Sequence, residues 1–147
     1  MNARAIAESR VGFVHFHEIA TRWMDNDSYG HVNNVVYYSY FDTAVNYYLI
    51  KQGLLDFRQS DVIGLVVETK CCYFRAVAFP DTIYVGVRVA NIGTSSVRYE
   101  LGIFSNDDEI AAAQGHFVHV YVNRETNRPV PLPVSYREAL MLLSRDT

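Results

Sequence analysis

The chain has 147 residues, half of them apolar and one fifth charged, with a formal net charge of −3. That length suits one domain, residues 1–147, and the apolar fraction is enough for a core, which excludes an intrinsically disordered chain. A general nucleic-acid binder would carry a basic excess that is absent, and no stretch approaches the roughly 20 apolar residues a membrane helix needs.

The opening segment, "MNARAIAESR", has no apolar run of signal-peptide length. Residues 11–24 alternate loosely, with Val11, Phe13, Val14, Phe16 and Ile19 apolar, and predict a strand. The polar decapeptide "DNDSYGHVNN" follows at 25–34. Tyr37, Tyr40, Phe41, Ala44 and Tyr48 then recur at helical spacing and predict a helix from about Asn34 to Lys51, stopped near Gly53. Val36, Val45, Tyr47 and Leu49 make that helix apolar on nearly all sides, the pattern of an enclosed element. After residue 61 the period changes to two. "VIGLVVETKCCYFRAVAF" predicts one long strand, ended by the turn pair Pro80–Asp81. Ile83, Val85, Val87 and Val89 share one face of the next strand, "NIGTSS" is turn chemistry, and Val97, Tyr99, Leu101 and Ile103 share a face after it. "SNDDE" makes another turn, residues 109–122 a last long strand, and "NRETNRP" an exposed loop. "SYREALMLL" predicts a closing helix, with Ser135 and Glu138 spaced as a capping box.

Short connections between long strands imply an antiparallel meander. The large apolar element available to cover such a sheet is the 34–51 helix, so the simplest architecture is α+β: a curved antiparallel sheet wrapped around one long central helix. One helix cannot cover the sheet fully, and the residual apolar surface and open edge argue for a dimer. Cys71 and Cys72 are adjacent, so on a strand they point to opposite faces; this fits free thiols in a reducing cytosol rather than a disulfide or a zinc site. His15, His17, His116 and His119 lie in strand-like segments with no metal-ligand spacing.

The decapeptide concentrates the chemistry. A helix start carries unpaired N–H groups and about half a unit of positive charge. Asn33 and Asn34 are good caps, and Gly30 permits a positive φ or a close backbone approach. Together these features make a site for a negatively charged oxygen. Asp27 lies seven residues before Asn34, so its carboxylate can face the same pocket. A carboxylate beside an oxyanion site is what thioester hydrolysis requires, either attacking the carbonyl or deprotonating water. His31 can assist proton transfer, bind substrate or simply pack. The same residue types also serve as ordinary turn and capping groups.

The run "RWMDNDSYGHVNNVVYYSYFDTAVNYYL" resembles the opening motif of the 4-hydroxybenzoyl-CoA thioesterase-like family, and "VETKCCYFRAVAFPDTIYVGVRV", "GTSSVRYEL" and "NRETNRPVPLP" continue the likeness over nearly the whole chain. The D-x-D-x-x-G-H-V-N-N wording is specific, and its H-V-N-N part also resembles plant acyl-carrier-protein thioesterases. The resemblance implies the hotdog fold and an acyl thioesterase acting on an acyl-CoA or acyl-carrier protein. It implies no metal or redox cofactor, with CoA or phosphopantetheine entering as part of the substrate, and a cytoplasmic homodimer or homotetramer. It makes Asp27 the nucleophile or general base, the Asn34 amide the group that polarises the carbonyl, and His31 the motif histidine. Gly30, Tyr37 and Gly64 fall in the substrate-binding set, and so do Thr94, Ser95 and Ser96 of the turn where relatives meet CoA. Tyr40 and Phe41, like Tyr37, are either lining or core residues. Two departures stand out. The "GTSS" turn carries no charge, which leaves the phosphate contact to Arg75, Arg124 or Arg128, or the carrier role to a protein. Tyr29 occupies the plant-type catalytic asparagine position. A non-catalytic acyl-thioester-binding module of the same shape is the alternative.

Overall fold

A computed structural model describes residues 5–56 and 58–145. The elements run β1 (His15–Ala20), α1 (Asn34–Lys51), β2 (Val62–Tyr73), β3 (Thr82–Ile92), β4 (Ser96–Ser105), β5 (Ala113–Asn123) and α2 (Val134–Met141). The five strands form one antiparallel sheet in the order β1-β3-β4-β5-β2. The sheet curves around α1, the hotdog arrangement.

The period-two pattern explains the two faces of the sheet. Ile83, Val85, Val87, Val89, Val97, Tyr99, Leu101 and Ile103 point inward and are buried against Tyr37, Tyr40, Phe41, Ala44, Val45, Tyr48 and Leu49 of α1. On the outer face, Gly86 and Gly102 stand opposite each other in register and leave a slot that the Phe13 ring fills, beside Phe104. There Arg88 lies over the Phe13 ring and is ion-paired to Glu8 and Glu100.

Several boundaries differ from the sequence expectation. β1 is shorter than 11–24, because 3-10 turns at Arg10–Gly12 and Trp23–Asp25 bracket it. β2 ends at Tyr73, where its partner β5 begins at Ala113 and both Phe74 and Arg75 donate to the Ala112 carbonyl. The capping box is absent: α2 starts at Val134 after Pro133, so Ser135 lies inside the helix and caps nothing. The helix α1 is not enclosed on all sides within one chain, since Val35, Tyr47 and Ile50 are exposed. β1 and β2 are the two edges of the sheet, and on β2 Leu65, Val66 and Val67 are 40–60% exposed.

Candidate active site

The decapeptide folds as a tight hairpin against the tip of α1. The Asn33 N–H donates to the Asp25 carbonyl and the Asp27 N–H to the His31 carbonyl, each at 2.8 Å, while Asn26 and Val32 are bridged between them. The Gly30 N–H closes the turn on the Asp27 carbonyl at 3.1 Å. Gly30 has φ +79°, a backbone position that side chains with a Cβ rarely adopt, which is why the turn needs glycine. The Asp27 carboxylate accepts from the Tyr29 N–H at 2.8 Å, an Asx turn that fixes its side chain from within its own loop.

At the helix tip, Asn33 is the N-cap. Its Oδ1 accepts from the Val35 N–H at 3.0 Å and its carbonyl from the Val36 N–H at 2.9 Å. Neither bond uses the Asn34 N–H, which is the first-turn donor that remains. The Asn34 carbonyl accepts from the Tyr73 hydroxyl at 3.1 Å, and Tyr73 meets Tyr37 edge to face.

Two cavities flank this hairpin. Asp27 and Gly30 line one of about 770 Å³, with Trp23, Met24, Asn26 and Ser28. Asn34 and Tyr37 line the other, of about 290 Å³, with Val32, Tyr73, Phe74, Arg75 and Ala76. Within one chain Asp27 and Asn34 therefore line different cavities. His31 is exposed and lines neither. Tyr37 is buried yet reaches the second cavity, whereas Tyr40 and Phe41 are wholly core. Burial pushes the Tyr37 and Tyr73 phenols up, so both stay protonated hydrogen-bond donors at neutral pH. Burial likewise raises the Cys71 thiol to about 11, which leaves it a packing residue rather than a nucleophile.

Gly64, Thr94, Ser95 and Ser96 lie elsewhere. β3 starts beside Thr21, whose N–H reaches the Asp81 carbonyl, and runs eleven residues away from the hairpin before the 93–96 turn. That separation is roughly 30 Å at strand rise. At the far end Gly64 pairs with Tyr121, and the Tyr121 N–H donates to the Ser95 carbonyl, so these two residues are neighbours of each other but not of Asp27.

Two residues of these regions escaped the sequence reading. Arg137, on α2, donates to the carbonyls of Gly93 and Thr94, so a cation does sit at the uncharged turn; no local pattern could reveal a contact made across more than 40 residues. Asp25 is 1% exposed and holds the base of the hairpin. Its signal was its place as the first aspartate of D-x-D, three residues after Arg22.

A curved antiparallel sheet curled around one long helix defines the hotdog class of proteins. The chain belongs to the thioesterase-like superfamily, whose family model matches residues 21–140. It is 53% identical to the PA5185 protein of Pseudomonas aeruginosa strain PAO1, whose crystal structure matches with a TM-score of 0.93 over 95% of this chain and 97% of that one. The YsmA protein of Bacillus subtilis (strain 168) is 25% identical over 135 residues, 91% of this chain and 90% of that protein. The DHNA-CoA thioesterase of Staphylococcus aureus shares the fold, with a TM-score of 0.77 and 22% identity over 86% of this chain and 87% of that one.

Proposed function

We propose that the chain is an acyl thioesterase, cleaving the thioester of an acyl-CoA or an acyl-carrier protein with water to a free acid and a thiol. One observation carries this reading: the hairpin that bears Asp27 is bonded through Asn33 directly to the first turn of α1, where Asn34, whose N–H has no hydrogen-bond partner among the described residues, lines a cavity. Membership of the thioesterase-like superfamily supports it.

In this mechanism the thioester lies across the hairpin with its carbonyl oxygen toward Asn34. The N–H and the positive end of α1 stabilise the oxyanion as it forms. Asp27 either adds to the carbonyl carbon, giving an acyl-enzyme anhydride that water then opens, or removes a proton from the attacking water. Collapse of the tetrahedral intermediate breaks the C–S bond and expels the thiolate, which takes up a proton. Gly30 lets the loop turn tightly beside the substrate, Tyr37 lines the carbonyl side, and His31 serves proton exchange at the exposed rim. The reaction calls for no metal or redox cofactor; CoA or phosphopantetheine belongs to the substrate.

The working unit is a homodimer, or a homotetramer built from it, formed where the bare edge of β2 and the open side of α1 meet a second copy. Gly64, Thr94, Ser95 and Ser96, remote from Asp27 in one chain, would then serve the carrier part of a substrate bound between copies. Among the described residues no helix is long and apolar enough to cross a membrane; the two free cysteines fit a cytoplasmic location.

The placement of Asp27 and Asn34 on separate cavities favours a second reading, a module that binds acyl thioesters without cleaving them. Thiol release from acyl-CoAs of increasing chain length, with an aromatic CoA thioester included, separates the two, because a binder saturates without releasing thiol. Asp27→Ala and Asp27→Asn should lower kcat by at least about 100-fold, the low end of a base or nucleophile's contribution, while the fold survives. Full turnover by a folded variant would reject Asp27 as the catalytic group.

A further inference from the structure

Asp25 is the best-buried carboxylate in the hairpin and the most heavily bonded. Its Oδ2 accepts from the Arg22 N–H at 2.9 Å and from the Tyr40 hydroxyl at 2.8 Å. Its Oδ1 accepts from Arg22 Nε at 3.1 Å and pairs with Nη2 at 2.9 Å. Its backbone carbonyl takes the N–H of Asn33, the residue that caps α1. Capping the 3-10 turn Trp23–Asp25 would need only the Arg22 contacts. The bond to Tyr40 does something else: it crosses fifteen residues to the flank of α1. One residue thus grips the strand end before the hairpin, the side of the helix behind it and the cap residue at its close. Burial alone would push the Asp25 carboxyl up, but the hydrogen bonds from the Arg22 N–H, the Tyr40 hydroxyl and the Arg22 guanidinium hold it on balance below the usual carboxylate range. A buried charge is tolerable only when paired and hydrogen-bonded in this way.

We propose that Asp25 is a positioning residue for thioester cleavage, its carboxylate and the Tyr40 hydroxyl together setting the distance between the Asp27 carboxylate and the Asn34 amide. The inference rests on the thioesterase reading above. Asp27 is two residues from Asp25 along the chain, and Asn33 is bonded to Asp25 directly, so movement of Asp25 displaces acid and oxyanion donor independently of any substrate contact. Misplacement of a reacting group by about 1 Å can cost on the order of 100-fold in rate.

The test uses Tyr40→Phe, which removes one oxygen, and Asp25→Asn, which keeps the shape and removes the charge, assayed by thiol release beside the parent and Asp27→Ala. For folded variants the expected result is a fall in kcat of about 10- to 100-fold with KM within about threefold, since the substrate contacts are intact and their geometry is not. The double variant should lose no more than the worse single one, because the two groups act as a unit. A merely structural role would lower the melting temperature and leave kcat per folded molecule within twofold of the parent, which overturns the proposal. Should Asp25→Asn not fold, Tyr40→Phe decides alone. An inactive Asp27→Ala beside a fully active Tyr40→Phe sinks the positioning role and spares the thioesterase reading; an active Asp27→Ala removes the acid that Asp25 is said to place and sinks the positioning role; a parent that releases no thiol sinks the thioesterase reading itself.

Discussion

His119 carries a ring nitrogen, Nε2, that has no hydrogen-bond partner among the described residues. It is 3% exposed on β5, stacked on Phe117 and edge to face with Tyr99. Burial lowers its pKa from the usual 6.5 to about 4, because charging it in the core would desolvate an unpaired cation. The unfolded chain, with a normal imidazole, therefore binds a proton that the folded chain refuses. His119's contribution to stability is full above pH 6.5 and is lost as the pH falls toward 4. The loss is on the order of 3 kcal/mol at about 1.4 kcal/mol per pKa unit. Urea unfolding of the parent and of His119→Phe at pH 7.5 and pH 4.5 should show this destabilisation in the parent beyond any in the variant; equal pH dependence would mean that His119 is solvated. Asp25 shows the opposite residue-scale outcome, a buried charge kept because every oxygen has a donor.

At the scale of elements, the strands follow their apolar alternation and the helix its 3.6 period, while the ends follow their partners. β2 stops where β5 begins, and α2 begins where Pro133 ends the extended chain, in both cases regardless of the residues just beyond. The outer-face slot over Gly86 and Gly102 belongs to this scale too. A Cβ on Gly102 would lie 2.8 Å from Phe13 Cζ and 3.0 Å from Phe104 Cε2, inside any normal contact. Gly102→Ala should therefore cost about 1–3 kcal/mol by overpacking. Chemical denaturation measures it, and a loss below about 0.5 kcal/mol would mean that the Phe13 ring yields without strain.

At the scale of the whole molecule, the proposed assembly rests on the edge strand β2 and the open flank of α1. β2 presents unpaired backbone groups together with Leu65, Val66 and Val67, and a register shift between Val66 and Glu68 is its one interruption against β5. An edge of that length is a template for a second copy unless something blunts it. Sedimentation of the parent should give at least a dimer, and Val66→Lys should weaken association by at least about 100-fold, since a lysine there must be buried without a partner. A monomeric parent would remove β2 as the interface.

How much of this could be read before any coordinates depends on how local the physics is. Alternation, helical spacing and turn chemistry act over a few residues, so the α+β class with its sheet around one helix, the long α1 starting at Asn34, the four long strands and the adjacent free cysteines were all legible, and the family resemblance added the hotdog fold. So was the unusual chemistry of the decapeptide, since Gly30 and Asn33 act on neighbours within the same loop. What residues distant in sequence do to one another was not. Tyr40 read mainly as a core residue, with no sign that its hydroxyl meets Asp25, and Arg137 gave no hint of reaching Gly93 and Thr94. Asp27 and Asn34 belong to one motif but line different cavities, and the 94–96 turn stands at the far end of β3. The sequence by itself determined which segments form helix, strand and loop, because those preferences are short-range; only the tertiary structure decided which polar groups meet, because burial and long-range hydrogen bonds exist only once the sheet has closed around the helix.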